Sequence, residues 1–198
     1  MIEKFEEVLK VKKLMAEFEK PWFIAGGWAI DLFIGHPTRE HQDIEIAMFR
    51  KDQRAIRSYL IGWELKKVIP KKRQIYPREL WAEDEWLELP IHQIEAQRID
   101  SDPDSLEILL NESSGELWRF RRNMKISRPI EGIGLRSEDS IPFLAPEIVL
   151  LYKAKAPSIK RNEDDFYRAV DLLDEERRLW LKKAIEVCHP DHHWLESL

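Results

Sequence analysis

At 198 residues and 23.7 kDa the chain is long enough to bury a substantial core, as one large domain or two small ones. Its 32 Lys and Arg against 37 Asp and Glu leave a net charge of -5, which argues against a general nucleic-acid binder, since phosphate contacts call for a basic face. A 43% hydrophobic content excludes global disorder, and the lone Cys188 excludes an internal disulfide, which points to a reducing cytoplasm. No apolar run approaches the roughly 18 residues of a membrane span, and residues 1–20 lack a signal-peptide core.

In chain order, Ile2, Phe5, Val8, Leu9, Leu14, Met15 and Phe18 recur at helical spacing, and Pro21 stops that first helix. Trp22–Ala25 reads as a short buried strand. Gly26-Gly27 and then Trp28, Ala29, Ile30, Leu32 and Phe33 read as a short helix ending at Gly35. The segment from Asp43 to Phe49 starts with alternating polar and apolar residues, which predicts a strand with Asp43 and Glu45 on one face. A basic helix over 51–60 and a strand over 63–69 follow. Further strands are predicted at 91–96, 105–110 and 117–123. Beyond about residue 140 the texture turns helical: Pro146 suits a first turn, 147–156 carries helical periodicity, and two more helices follow near 166–173 and 179–187. The expected architecture is an α/β (α+β) core over residues 1–143, a mixed twisted sheet with flanking helices, followed by a C-terminal helical cap over 144–198.

Charge is unevenly spread. Arg50 to Arg78 holds ten Lys or Arg against two acids, and Glu79 to Glu107 holds ten acids against one Arg. Solvated faces are one reading of these blocks; a cleft with a phosphate-binding wall and a wall for a cationic acceptor is the other. Trp81 and Trp86, flanking Glu83-Asp84-Glu85, would suit a flat or cationic acceptor on the second reading. The Cys188-His189-Pro190-Asp191-His192-His193 run lacks a partner Cys pair and has Pro190 inside it, so it is a poor zinc site.

The chemistry concentrates in Gly26-Gly27-Trp28-Ala29-Ile30-Asp31 and, with fifteen residues between it and the Gly pair, Asp43-Ile44-Glu45. Two like charges one residue apart on a strand are unfavourable without a cation between them, and Mg²⁺ supplies one while bridging substrate phosphates. A Gly pair opening a helix lets backbone N–H groups approach an anion. Together these are the parts for in-line attack on a nucleoside triphosphate.

These motifs, with the intervening Thr38-Arg39-Glu40-His41, resemble the polymerase β-like nucleotidyltransferases, in particular the aminoglycoside and lincosamide nucleotidyltransferase-like group. The close match covers residues 22–49. The resemblance implies a nucleotidyltransferase fold and transfer of a nucleoside monophosphate, usually AMP from ATP, to a hydroxyl of a small acceptor, with a two-metal Mg²⁺ site. It also implies three metal-holding catalytic carboxylates, two of them Asp43 and Glu45. The third should lie on a neighbouring strand; Glu107 is preferred, with Asp104 and Glu95 as alternatives. Glu stands at the second and third positions where Asp is more usual, which leaves charge intact and bears on rate and metal preference. Gly26, Gly27, Arg39 and Lys153 are the candidate nucleotide contacts, although an ion pair for Arg39 and a solvated helix face for Lys153 and Lys155 are the ordinary alternatives. Asp31 reads as a local cap or pair. Transfer to a protein or RNA acceptor, a non-catalytic module of the same fold, and pairing of two subunits through the cap helices stay open at this stage.

Overall fold

The computed structural model describes residues 5–70 and 76–198. Ile2 of the expected first helix and Lys71, Lys72 and Arg73 of the basic block lie outside them. Elements run in the order α1 (Glu6–Leu14), β1 (Trp22–Ile24), α2 (Gly26–Ile34), β2 (Glu45–Phe49), α3 (Gln53–Tyr59), β3 (Glu64–Val68), β4 (Arg78–Leu80), β5 (Gln93–Gln97), β6 (Ser105–Ser114), β7 (Leu117–Arg119), β8 (Ser127–Pro129), β9 (Gly134–Arg136), β10 (Pro142–Leu144), α4 (Pro146–Lys153), α5 (Lys160–Ala169) and α6 (Glu175–Cys188). One mixed sheet has the order β4-β3-β5-β6-β2-β1-β10-β9, and β7 and β8 branch from the far end of β6.

The centre of the sheet is fixed by side-chain alternation. β2 runs parallel to β6, with Glu45 opposite Glu107 and Ala47 opposite Leu109, and β5 runs antiparallel to β6, with Glu95 opposite Glu107 and Gln93 opposite Leu109. Because successive side chains point to opposite faces, Ile46, Met48, Ile94, Ile108 and Leu110 share the face buried in the core. Glu45, Glu107 and Glu95 form one row across three strands on the other face. A one-residue slip would exchange these two sets, so the core itself holds the carboxylate row in register.

Several elements differ from their expected limits. β7 ends at Arg119, because Phe120 closes a turn with Ile126 and Asn123. β4, β8, β9 and β10 are three-residue strands, too short to show a period of two in the sequence. β10 pairs in parallel with β1, and α4 begins directly after it with Pro146 in its first turn, where a missing N–H costs nothing. α5 buries Asn162, Asp165, Phe166 and Ala169 along one stripe, and the Phe166 ring stacks on Trp194 at 4.1 Å. Fully buried Glu147 of α4 lies 2.9 Å from Arg128 of β8 and 3.4 Å from Arg177 of α6, which ties the C-terminal helices to the sheet. No helix among the described residues is long and apolar enough to cross a membrane.

The two charge blocks meet each other. Lys67 contacts Glu85 and Glu79, and Arg78 binds Glu95 through Nε and Nη2 at 2.7–3.0 Å. Glu79, Glu85 and Glu95 of the acidic block thus neutralise the basic strands, whereas Asp102 and Asp104 line the cavity beside Asp43. Trp81 is buried, donates Nε1–H to the Glu85 carbonyl and carries Arg57 over its ring, so it cannot receive a ligand. In the C-terminal His run, His192 is buried against the Ala154 carbonyl and His193 bonds Glu163, both structural contacts.

Candidate active site

The short turn from β1 into α2 brings the backbone to the edge of the carboxylate row. Gly26 has φ of 61°, a left-handed conformation that other residues adopt only at a cost, and a Cβ there would overlap the Glu45 carboxylate. At Gly27 a Cβ would collide with the Arg39 guanidinium and the His41 ring. The Gly pair is thus dictated by what lies against it: Glu45 on one residue, Arg39 and His41 on the next.

The loop after α2 is pinned side chain by side chain. Asp31, fully buried, accepts a hydrogen bond from Thr38 Oγ1 at 2.6 Å and bonds His41 Nε2 at 2.7 Å. Burial alone would raise its pKa, but His41 and Thr38 hold the carboxyl below the usual range. The His41 ring stacks on Trp28 at 4.2 Å. Asp31 therefore pairs locally, and its effect is to fix the approach of the chain to Asp43.

Two cations flank the α2 N-terminus. Lys153 Nζ of α4 is 2.8 Å and Arg39 Nη2 is 3.5 Å from Oδ2 of Asp165 on α5. Asp165 is completely buried, and neither of its oxygens has a hydrogen bond of good geometry, so these are charge contacts. Lys153 also approaches Asn162 Oδ1 at 3.4 Å. Asp165 and Asn162 were not identified from sequence. Their signal was present, as polar residues on the stripe of α5 that also carries Phe166 and Ala169.

The carboxylates act on one another. Glu45 is raised above the usual carboxylate pKa, chiefly by burial and then by Asp43, against the opposing charges of Lys153, Arg161 and Arg39. Glu107 is pushed up to about 7 by burial, then by Glu45, Asp43 and Glu95. Gln93 Nε2 donates to Glu107 Oε2 at 2.8 Å. Glu95 is bound on both oxygens by Arg78, and Asp104 is exposed in the turn before β6, beside the Ser105 hydroxyl. Of the three alternatives, Glu107 sits opposite Glu45 without a neutralising arginine fork.

Among the described residues no three His, Cys, Asp or Glu side chains converge closely enough to hold a metal ion. The donor chemistry nevertheless fits Mg²⁺: oxygen ligands only, with Glu45 and Glu107 opposite each other and both raised in proton affinity by burial and by their neighbours' charges. Above this row lies a cleft of about 610 Å³, bounded by Gly26, Glu45, Ala47 and Leu109 on the sheet side and by Tyr152, Lys153 and Asn162 on the helical side. A smaller cavity of about 460 Å³ opens beside Asp43, between Trp28, His41 and Asp104.

No curated protein matches the sequence. Among solved structures, the solution structure of the antibiotic-resistance factor ANT(2'')-Ia superposes with a TM-score of 0.58 at 15% identity, covering 93% of this chain and 92% of that one. ANT(2'')-Ia in complex with adenylyl-2''-tobramycin gives 0.57 at 14% identity over 91% and 96%. The lincomycin-bound lincosamide antibiotic adenylyltransferase LnuA gives 0.55 at 17% identity over 83% and 94%. At these identities the likeness establishes the nucleotidyltransferase fold. The family profile of the aminoglycoside-2''-adenylyltransferases matches residues 7–177, most of the chain. The chain belongs to the aminoglycoside-2''-adenylyltransferase family and is a nucleotidyltransferase.

Proposed function

We propose that the chain transfers AMP from ATP, with Mg²⁺, to a hydroxyl of a small antibiotic-like acceptor, and that Asp43, Glu45 and Glu107 hold the metal. The carrying observation is the register that sets Glu107 opposite Glu45, with Asp43 two residues before it and the Gly26-Gly27 turn against the Glu45 carboxylate. When bound, Mg²⁺ would supply charge neutralisation at the reacting phosphorus and at the departing pyrophosphate.

The chain's own residues account for the rest. The backbone N–H groups at the start of α2 face the β- and γ-phosphates. Arg39 and Lys153, both held by Asp165, contribute positive charge to the same phosphates. Glu107, opposite Glu45 and without an arginine fork of its own, is suited by position to accept the acceptor's hydroxyl proton. The Asp31–His41–Trp28 packing keeps Asp43 in place while the substrate is oriented. Family membership supports the choice of an aminoglycoside as first acceptor to try.

The test is pyrophosphate release from ATP, measured across a panel of aminoglycosides and lincosamides with and without Mg²⁺. At least one acceptor is expected to stimulate release, and Asp43→Asn is expected to reduce the rate by about 10³-fold or more. Release independent of Mg²⁺, or unaltered by Asp43→Asn, would overturn the assignment.

A further inference from the structure

The wall of the large cleft farthest from the carboxylate row is cationic. It is formed by the turn after β7, with Arg121 and Arg122, and by Tyr152 of α4. Both guanidinium groups lie over the Tyr152 ring, at 5.4 Å for Arg121 and 5.2 Å for Arg122. Arg122 Nη1 donates to the Tyr152 carbonyl at 2.7 Å. Tyr152 in turn sits with its hydroxyl 3.4 Å from Asn111 Oδ1, so the platform beneath the two arginines is fixed.

Neither arginine has a carboxylate partner among the described residues. Glu112, whose charge reaches Arg121, is bound by Arg50 Nε at 2.7 Å, and Arg50 is itself locked by the Leu87 and Ile91 carbonyls. Two neighbouring cations in a cleft wall repel each other as the carboxylates do, and an anion between them removes that cost. Their surroundings agree: burial and then Arg121's charge draw Arg122 down to about 10, although part of its surface is exposed. Arginine forks match the oxygens of phosphate or carboxylate in two-point contacts. Along β6, Asn111 lies four residues beyond Glu107, about 13 Å at the rise of a strand.

We infer that Arg121 and Arg122 form an oxyanion subsite in the far wall of the cleft, which takes a phosphate or carboxylate group of a bound substrate. Two substrates could bring that group, the polyphosphate tail of the nucleotide or an anionic substituent of the acceptor. Assigning the group to one of these rests on the nucleotidyl-transfer reading, whereas the subsite itself does not.

The experiment uses the full chain and the variants Arg121→Gln, Arg122→Gln and Arg121→Lys, with calorimetric titration of Mg·ATP, AMP and inorganic phosphate. Phosphate is titrated both alone and in the presence of a saturating non-hydrolysable ATP analogue. Loss of about 10- to 100-fold in ATP affinity in Arg121→Gln, with AMP unchanged, assigns the subsite to the nucleotide tail. Loss of the same size in phosphate affinity, with ATP affinity intact, assigns it to the acceptor. Arg121→Lys should recover part of either loss. If Arg122→Gln melts early because the Tyr152 carbonyl loses its donor, Arg121→Gln decides alone. Unchanged affinity for both ATP and phosphate in Arg121→Gln overturns the inference. A wild-type chain that binds phosphate but no ATP would instead sink the proposed function and leave the subsite standing.

Discussion

Glu107 joins the row of carboxylates at a position where its charge is costly. Its carboxyl is raised from 4.5 to about 7, so between those values the folded chain holds a proton that the unfolded chain has released. The stability this group contributes is complete below about pH 4.5 and is lost as pH rises through about 7. Glu107→Gln should therefore stabilise the metal-free protein at pH 8, by about 1–2 kcal/mol once solvent screening of this partly exposed group is discounted, and should change little at pH 4.5. Thermal melts at the two pH values check this; equal shifts at both would contradict it. The same proton competes with metal, so Mg²⁺ affinity should weaken as pH falls below about 7. Gly26 makes a second prediction at this scale. Gly26→Ala would strain a left-handed backbone and push the Glu45 carboxylate aside, costing about 1–3 kcal/mol in a denaturant titration together with most of the activity.

Among the elements, α5 reaches the loop before β2 and α4 through a single buried acid. Asp165 holds Arg39 from the loop before β2 and Lys153 from α4. In Asp165→Asn two partly buried cations lose their counter-charge, with an expected loss of about 2–4 kcal/mol. On the proposed function a triphosphate would supply negative charge at the same place, so saturating ATP should restore more stability to this variant than to the wild type. Equal ligand-induced shifts in melting temperature would contradict that. Asp165 also shows where sequence reading stops. Gly26-Gly27 announced the close approach of backbone to Glu45, whereas the strand expected from Asp43 begins only at Glu45; no local pattern tells which distant cation a buried acid will meet. Similarly, the 79–107 acids are conspicuous as a run, but only strand pairing reveals that Glu95 faces Arg78 and Glu85 faces Lys67. The short strands β8, β9 and β10 were missed for a related reason. Three residues carry no periodicity, and their pairing is set by β1 and β7 rather than by their own composition.

For the whole molecule, one continuous hydrophobic core runs through the sheet and the C-terminal helices, and the Arg128–Glu147–Arg177 cluster crosses the same junction. The cleft lies between these two layers, so a ligand that contacts both should stabilise the fold as a unit. ATP with Mg²⁺ at about 100 times its Kd should add roughly 2.7 kcal/mol to unfolding, in a single transition. The net charge of -5 does not foretell this, because it is the remainder of a basic and an acidic block that meet in part through Lys67 and Arg78. The most direct test of the carboxylate row is Mn²⁺ binding, followed by electron paramagnetic resonance in the presence of a non-hydrolysable ATP analogue. Asp43→Asn, Glu45→Gln and Glu107→Gln should each weaken it by about tenfold or more, while Glu95→Gln leaves it unchanged. Mn²⁺ binding that survives in Asp43→Asn and Glu107→Gln, or that fails in Glu95→Gln instead, would contradict the account.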